Sequence, residues 1–403
     1  MYFRFNSFMP KQLENTRILM LHSTSDLYGA SRIFLQTAGI LKDEGAKVSV
    51  FLSEKGPLSE ALEVIGIEVH ILRLGILRRK YINPWGIINR IYFTLKAAFT
   101  LSSFIKKHSV ELVYNNAASV FAGLIAANLT KTKHIWHIHE IILTPKPFAS
   151  FLARLMASNS SLNIYVSEAT MKHWTGLNQA INLKNRAVKI WNGIQIKEAN
   201  PIAIGRKSAW NLPLNDNTIV IGMIGRINFW KGQLYFIEIA NEILKSNKNV
   251  HFIMAGDPFP GYEFILDEIK SKIQFFNISD HITDLGFQKD TSEFFNTIDL
   301  LIVPSTLPDP LPTVVLEAMS YAKPVAGTQH GGIVEMIQDQ ITGIYIPVND
   351  PKMAANKVLS ILKQPILKAM GQKGLEYLNQ EFSPERYKSL ILSSIEKTLH
   401  DQL

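Results

Sequence analysis

The chain has 403 residues, 47% of them hydrophobic and 19% charged, which reads as a globular protein long enough for two domains, each with its own core. It contains no cysteine, so disulfides, thiol nucleophiles and cysteine-ligated metals are excluded. The net charge of +8 is uneven: residues 1–200 carry 24 basic and 12 acidic side chains, and residues 201–403 carry 18 and 22. An excess confined to one half suits anionic lipid or a phosphate-bearing acceptor as well as it suits nucleic acid.

Met1–Arg17 has no long apolar run and does not read as a signal peptide. Arg17–Thr24 reads as a first strand, Ala30–Glu44 as a helix and Lys47–Leu52 as a second strand. Further strands are expected at Ile67–Leu72, Leu112–Asn115, His134–His137 and Leu162–Val166. Leu112–Thr130 is the longest uncharged stretch, but it contains Asn115, Asn116 and Asn128 and reads as strand then helix, not as a membrane span. The proline-containing segment Lys197–Pro213 is the best linker candidate. A second series follows, with strands at Thr218–Ile224, His251–Met254, Ile282–Leu285, Asp299–Val303, Pro324–Ala326 and Gly343–Ile346, and a helix at Gly232–Leu244. Pro384–Leu403 reads as a last helix, with Ser383 as its N-cap. Strand–helix alternation of this kind predicts two α/β domains, each a parallel sheet covered by helices.

Ligands of open parallel sheets sit at the carboxyl ends of the strands, and four stretches of the chain fall there. Ser25–Ser31 places Gly29 at a helix start, where backbone can approach an anion; an ordinary strand–helix turn is the alternative. Gly225–Gly232 (GRINFWKG) carries Arg226 and Lys231 between Gly225 and Gly232, a cation pair that suits a pyrophosphate. In Pro304–Glu335, Asp309 lies in a proline-rich loop and Glu317 in an apolar helical stretch, where a carboxylate needs hydrogen-bond donors that a ribose diol would supply. Gly331–Gly332 repeats the anion-cradle pattern more weakly. In Trp136–Glu140 (WHIHE), His137 and His139 share one face of an extended chain, and His139 lies nearer the carboxyl end. A metal pair at that spacing lacks further ligands, and no Asp-x-Asp occurs in the chain.

Together these stretches resemble glycosyltransferase family 4, retaining enzymes of the GT-B fold. The family's Gly-Arg-x4-Lys-Gly loop is similar to Gly225, Arg226, Lys231 and Gly232. Its pair of glutamates separated by seven residues is matched by Asp309 and Glu317, with Asp in the first position. The resemblance implies two Rossmann-like domains facing across a cleft: an acceptor-side domain over 1–196, onto which the helix 384–403 packs back, and a nucleotide-sugar donor domain over 197–383. It implies that Arg226 and Lys231 hold the donor diphosphate, that Glu317 holds the ribose, and that Asp309 and His139 meet the donor sugar. Gly29 would lie beside the phosphates, with Gly225, Gly331 and Gly332 in the donor site. The donor would be a UDP- or GDP-sugar, with no metal and no other cofactor.

From Val69 to Val110 there is no acidic residue, while Arg73, Arg78, Arg79, Lys80, Arg90, Lys96, Lys106 and Lys107 alternate with aromatic and aliphatic side chains. This segment, 73–107, reads either as one that lies on an anionic membrane surface or as a core helix with a solvated basic face. The expected protein is cytoplasmic, held at the inner face of the plasma membrane. It is expected to transfer a sugar to a glycan or lipid-linked glycan acceptor in surface polysaccharide or lipopolysaccharide synthesis. A nucleotide-sugar epimerase or hydrolase of the same fold and a non-catalytic donor-binding subunit are the alternatives. Nucleic acid is not an expected partner, because it would leave the strand-end motifs unexplained.

Overall fold

The computed structural model describes residues 12–76, 81, 83–183, 186–194, 210, 212–215 and 217–400. Most of the linker candidate Lys197–Pro213, the expected domain boundary at 196/197, and Arg78, Arg79 and Lys80 lie outside the described residues. The chain divides into two compact units, Met1–Gly193 with Glu385–Leu403, and Ile194–Pro384.

The first unit is built from β1 (Arg17–His22), α1 (Gly29–Asp43), β2 (Lys47–Leu52), α2 (Pro57–Val64), β3 (Glu68–Ile71), α3 (Pro84–His108), β4 (Leu112–Asn116), α4 (Phe121–Thr130), β5 (Lys133–Ile138), α5 (Lys146–Asn159), β6 (Leu162–Tyr165), α6 (Glu168–Leu177), α7 (Ala180–Leu183) and β7 (Ala187–Lys189). Its strands form one parallel sheet in the order β3-β2-β1-β4-β5-β6-β7. Successive strand residues face opposite sides. On β1, Ile18 and Met20 join a core with Phe34 and Leu41 of α1, while Leu19 and Leu21 join one with Ala97 and Leu101 of α3. Burial on both faces explains the uninterrupted apolar run in the sequence. β7, a short edge strand without a distinct apolar run, has no counterpart among the expected elements.

The second unit comprises β8 (Ile219–Ile224), α8 (Gln233–Ser246), β9 (Val250–Ala255), α9 (Phe264–Phe276), β10 (Ile282–Asp284), α10 (Ser292–Thr297), β11 (Leu300–Val303), α11 (Thr313–Ser320), β12 (Val325–Thr328), α12 (Ile333–Met336), β13 (Gly343–Ile346), α13 (Pro351–Ile361) and α14 (Gln364–Glu381). Its parallel sheet has the order β10-β9-β8-β11-β12-β13. Both sheets therefore follow the doubly wound 3-2-1-4-5-6 pattern, with switch points between β1 and β4 and between β8 and β11. At Gly222 of β8 an added Cβ would lie 2.5 Å from Ile298 and 2.7 Å from Phe294, so the sheet and the covering layer meet without room for a side chain.

The last helix, α15 (Pro384–His400), contributes Tyr387, Ile391, Leu392 and Ile395 to the core of the first unit. The Tyr387 hydroxyl lies 2.6 Å from Thr37 Oγ1 of α1, so a buried polar group that α15 brings to this core has its partner there. α3 is one long helix, started by Asn83, whose Oδ1 accepts from the Gly86 N–H at 2.8 Å. The side chains of α3 that face the core are Thr94, Ala97, Ala98, Leu101, Ser102 and Ile105. Its inner face thus joins the core, as the core-helix reading expects, while Trp85, Ile88, Ile91, Tyr92, Leu95 and Phe99 are exposed.

Candidate donor site and the strand ends of the first unit

In the second unit the loop after β8 is shaped by glycines. Gly225 has φ 153°, in a place where an added Cβ would meet nothing, and Gly232 has φ 83° at the start of α8, where a Cβ would fall 2.0 Å from Pro304 O. The loop can therefore lie directly against the end of β11 only with glycine at 232. Between them, Asn228 Oδ1 accepts from the Trp230 and Lys231 N–H groups at 3.1 and 3.0 Å, a local turn that presents Lys231 at the helix start. The Arg226 guanidinium sits 5.3 Å from the Phe259 ring centre.

The loop after β11 carries Asp309, whose side chain is 7% exposed, and its Oδ2 is ion-paired to Lys231 Nζ. Thr306 N–H donates to Trp230 O at 2.7 Å and stitches the two loops together. On the other side, Gly332 N–H donates to Asp309 O at 2.7 Å, and a Cβ on Gly331 (φ 63°) would come within 2.5 Å of the same carbonyl. The glycine pair is thus required by close backbone packing around Asp309, and the Gly332 N–H is already engaged. His330 Nε2 donates to Ser305 O at 2.7 Å and fixes the strand-end turn. Glu317, partly exposed on α11, accepts from the hydroxyls of Thr291 at 3.2 Å and Thr313 at 3.5 Å. Its need for donors, read from the sequence as a vacancy for a ribose, is met in part by the protein.

In the first unit Gly29 opens α1, and the preceding turn is held by Asp26, whose Oδ1 accepts from Ser31 Oγ at 2.8 Å and from Tyr28 N–H at 3.2 Å. His139 lies just past β5. Its Nε2 is 2.9 Å from Oδ1 of Asn116, the last residue of β4, so His139 sits at the switch point. The His137 and His139 rings share one side, 4.2 Å apart, as the spacing requires, but His137 is buried with its Nδ1 2.7 Å from Tyr114 Oη. Burial holds His139 well below the ordinary histidine range, and the His137 and His22 rings add to the effect, so it is neutral.

Sequence reasoning passed over Glu140. Its Oε2 accepts from the Ala118 and His139 N–H groups at 3.1 and 3.0 Å, and burial lifts its carboxyl to about 7. It anchors the turn after β4, where Ala117 adopts φ 106° and its carbonyl accepts from Trp136 Nε1 at 2.7 Å. Asn116, Asn228, Thr291 and Thr306 were equally unmarked, because a single Asn or Thr carries no local pattern. Seven expected residues (Gly225, Arg226, Lys231, Asp309, Glu317, Gly331 and Gly332) belong to the second unit, and Gly29 and His139 belong to the first.

Comparison with known proteins agrees with this anatomy. Residues 28–198 match the family described as Glycosyltransferase Family 4, and residues 206–376 match Glycosyl transferases group 1. An undecaprenol-diphosphate-linked GlcNAc α-1,3-galactosyltransferase of Escherichia coli, which uses UDP-Gal, is 23% identical over 86% of this chain and 88% of its own length. HepE of Anabaena, solved with UDP, superposes with TM-score 0.79 at 20% identity over 95% of this chain and 100% of that one. A glycosyltransferase of Rickettsia africae gives TM-score 0.79 at 21% identity over 96% and 100%. Two doubly wound α/β units with basic and acidic residues at the strand ends of the second define a glycosyltransferase of the GT-B fold. The chain belongs to glycosyltransferase family 4.

Proposed function

We propose that this chain transfers a sugar from a UDP-sugar to a lipid-linked glycan in surface polysaccharide or lipopolysaccharide synthesis. The transfer retains the anomeric configuration and uses no metal. The observation that carries the proposal is the meeting of Lys231 and Asp309, 78 residues apart, at the β8/β11 switch point, on loops that glycines hold in contact. Transfer breaks the bond between the anomeric carbon and a diphosphate oxygen, and negative charge grows on the departing group. Arg226 and Lys231 meet that charge. Asp309, held against Lys231, accepts from donor-sugar hydroxyls, and Glu317 accepts from the ribose. In the first unit, His139, neutral and tethered to Asn116, offers its ring to a sugar hydroxyl, and the turn at Gly29 offers backbone to a phosphate.

The uridine choice is supported by the E. coli relative named for UDP-Gal and by HepE, solved with UDP. The same relative's undecaprenol-linked acceptor supports a lipid-linked one here. No helix among the described residues is long and apolar enough to cross a membrane. We place the chain in the cytoplasm, at the inner face of an anionic membrane met by 73–107.

A thermal-shift series with UDP- and GDP-sugars, followed by transfer assays to lipid-linked acceptors, tests the reading. Ligand at about 100 times its dissociation constant adds about 2.7 kcal/mol to stability. Stabilisation by UDP-sugars with product formation is expected. Binding without transfer to any acceptor would leave only a donor-binding protein, and turnover of donor without acceptor would make it a hydrolase or epimerase.

A further inference from the structure

α3 is apolar on two faces: Ala97, Ala98, Leu101 and Ile105 face the core, and a second apolar row faces outward. Trp85, Ile88, Tyr92, Leu95 and Phe99 are 81, 59, 59, 44 and 64% exposed. Their spacing of three, four, three and four residues places them on one face of the helix, a stripe about 20 Å long. Ile91, 53% exposed, widens it. Scattered apolar residues on a surface need no explanation, but a continuous stripe of this size marks a contact.

The charge around the stripe identifies what it meets. No acidic residue occurs between Glu68 and Glu111, whereas Arg73, Arg90, Lys96, Lys106 and Lys107 do. The guanidinium of Arg73 lies 4.2 Å from the Phe93 ring centre, and that of Arg90 lies 4.2 Å from the Tyr81 ring centre. Cations on aromatic shoulders beside an apolar face, with Trp and Tyr in that face, form the side-chain pattern of a helix lying at a bilayer interface. A second copy of the chain would bring the same cations together without acidic partners, which disfavours self-association through this face.

We propose that the Trp85–Phe99 face of α3 inserts into an anionic bilayer, so that apolar burial, beyond surface charge, holds the enzyme where a lipid-linked acceptor lies. This rests on the membrane-side reading above and adds the contacting residues and the mode of contact. Each cation near the surface adds attraction that salt screens, whereas apolar burial persists in high salt.

The test is co-sedimentation of the full chain with phosphatidylcholine vesicles, with and without phosphatidylglycerol, at low and high salt. We expect binding to the anionic vesicles and substantial retention in high salt. Trp85→Ser with Phe99→Ser should weaken binding about 10- to 100-fold, since two large apolar groups stay in water. Arg90→Gln with Lys96→Gln should weaken binding at low salt only. The substituted apolar residues are exposed, so the fold and the UDP-sugar thermal shift should be unchanged. Complete release by salt, equal binding of the apolar variant, or light scattering that shows a dimer dissolved by Trp85→Ser with Phe99→Ser would overturn the insertion. A wild-type chain that responds to UDP-sugar but ignores vesicles sinks this inference alone. One that binds vesicles but no nucleotide sugar sinks the donor reading and leaves the insertion standing.

Discussion

Replacing Lys231 with Ala perturbs two things that can be separated. In the second unit Lys231 and Asp309 have side chains 24 and 7% exposed, so removing the cation strands a carboxylate that has little water. Breaking a buried pair from one side costs about 3–5 kcal/mol, a large part of a total of about 5–15 kcal/mol, yet compatible with a folded chain. If Lys231 also meets the charge on the departing diphosphate, transfer falls on the order of 100- to 1,000-fold. The double variant Lys231→Met with Asp309→Leu replaces the pair by apolar groups of similar volume. It should recover most of the stability, because both desolvated charges are gone, while transfer stays low. Urea unfolding followed by circular dichroism reads the first effect, and UDP release at saturating donor and acceptor reads the second. Recovery of transfer in the double variant, or near-normal turnover of Lys231→Ala, would refute the leaving-group role. A Lys231→Ala protein as stable as the wild type would refute the buried coupling.

Acid should destabilise the first unit. Burial holds His22 at about 4 and His134 and His137 at about 3, so their contribution is complete above the unfolded value of about 6.5 and is lost as pH falls toward about 4. Glu140, raised to about 7, has the opposite sign: its contribution is complete below about pH 4.5 and is lost as pH rises through about 7. The net change from about pH 6.5 to about 5.5 is a loss of more than about 2 kcal/mol in urea unfolding, since His139, also held neutral, adds to these three, and the loss is steepened by about 1 kcal/mol in Glu140→Gln; a flat profile would show that these histidines are not kept neutral. Glu317→Gln should raise the UDP-sugar dissociation constant about tenfold by calorimetry, a charged-acceptor hydrogen bond being worth about 1.5 kcal/mol or more, and unchanged affinity would remove Glu317 from the donor site. Gly232→Ala should lose more than about 1 kcal/mol of stability, because φ 83° and a Cβ 2.0 Å from Pro304 O both oppose a side chain; an unshifted unfolding midpoint would contradict that packing.

The repeating strand–helix order and the positions of most strands are legible in the sequence, because apolar runs and glycines act over a few residues. Lys47–Leu52 and Gly343–Ile346 were legible to the residue. It also marked Arg226, Lys231, Asp309 and Glu317, since charge at a strand end is a local signal. Tertiary structure alone decided the partners. Lys231 meets Asp309 only because β8 and β11 are neighbours across a switch point, and Glu317 takes hydroxyls from Thr291, 26 residues away. Gly331 and Gly332 read as an anion cradle until the backbone of 309–310 occupied the space beside them. Glu140 gained its role from Ala118, on a different loop. The outward turn of Trp85 and Phe99 was likewise undetermined, because helical periodicity groups side chains onto a face but only packing against α4 and the sheet selects which face is buried.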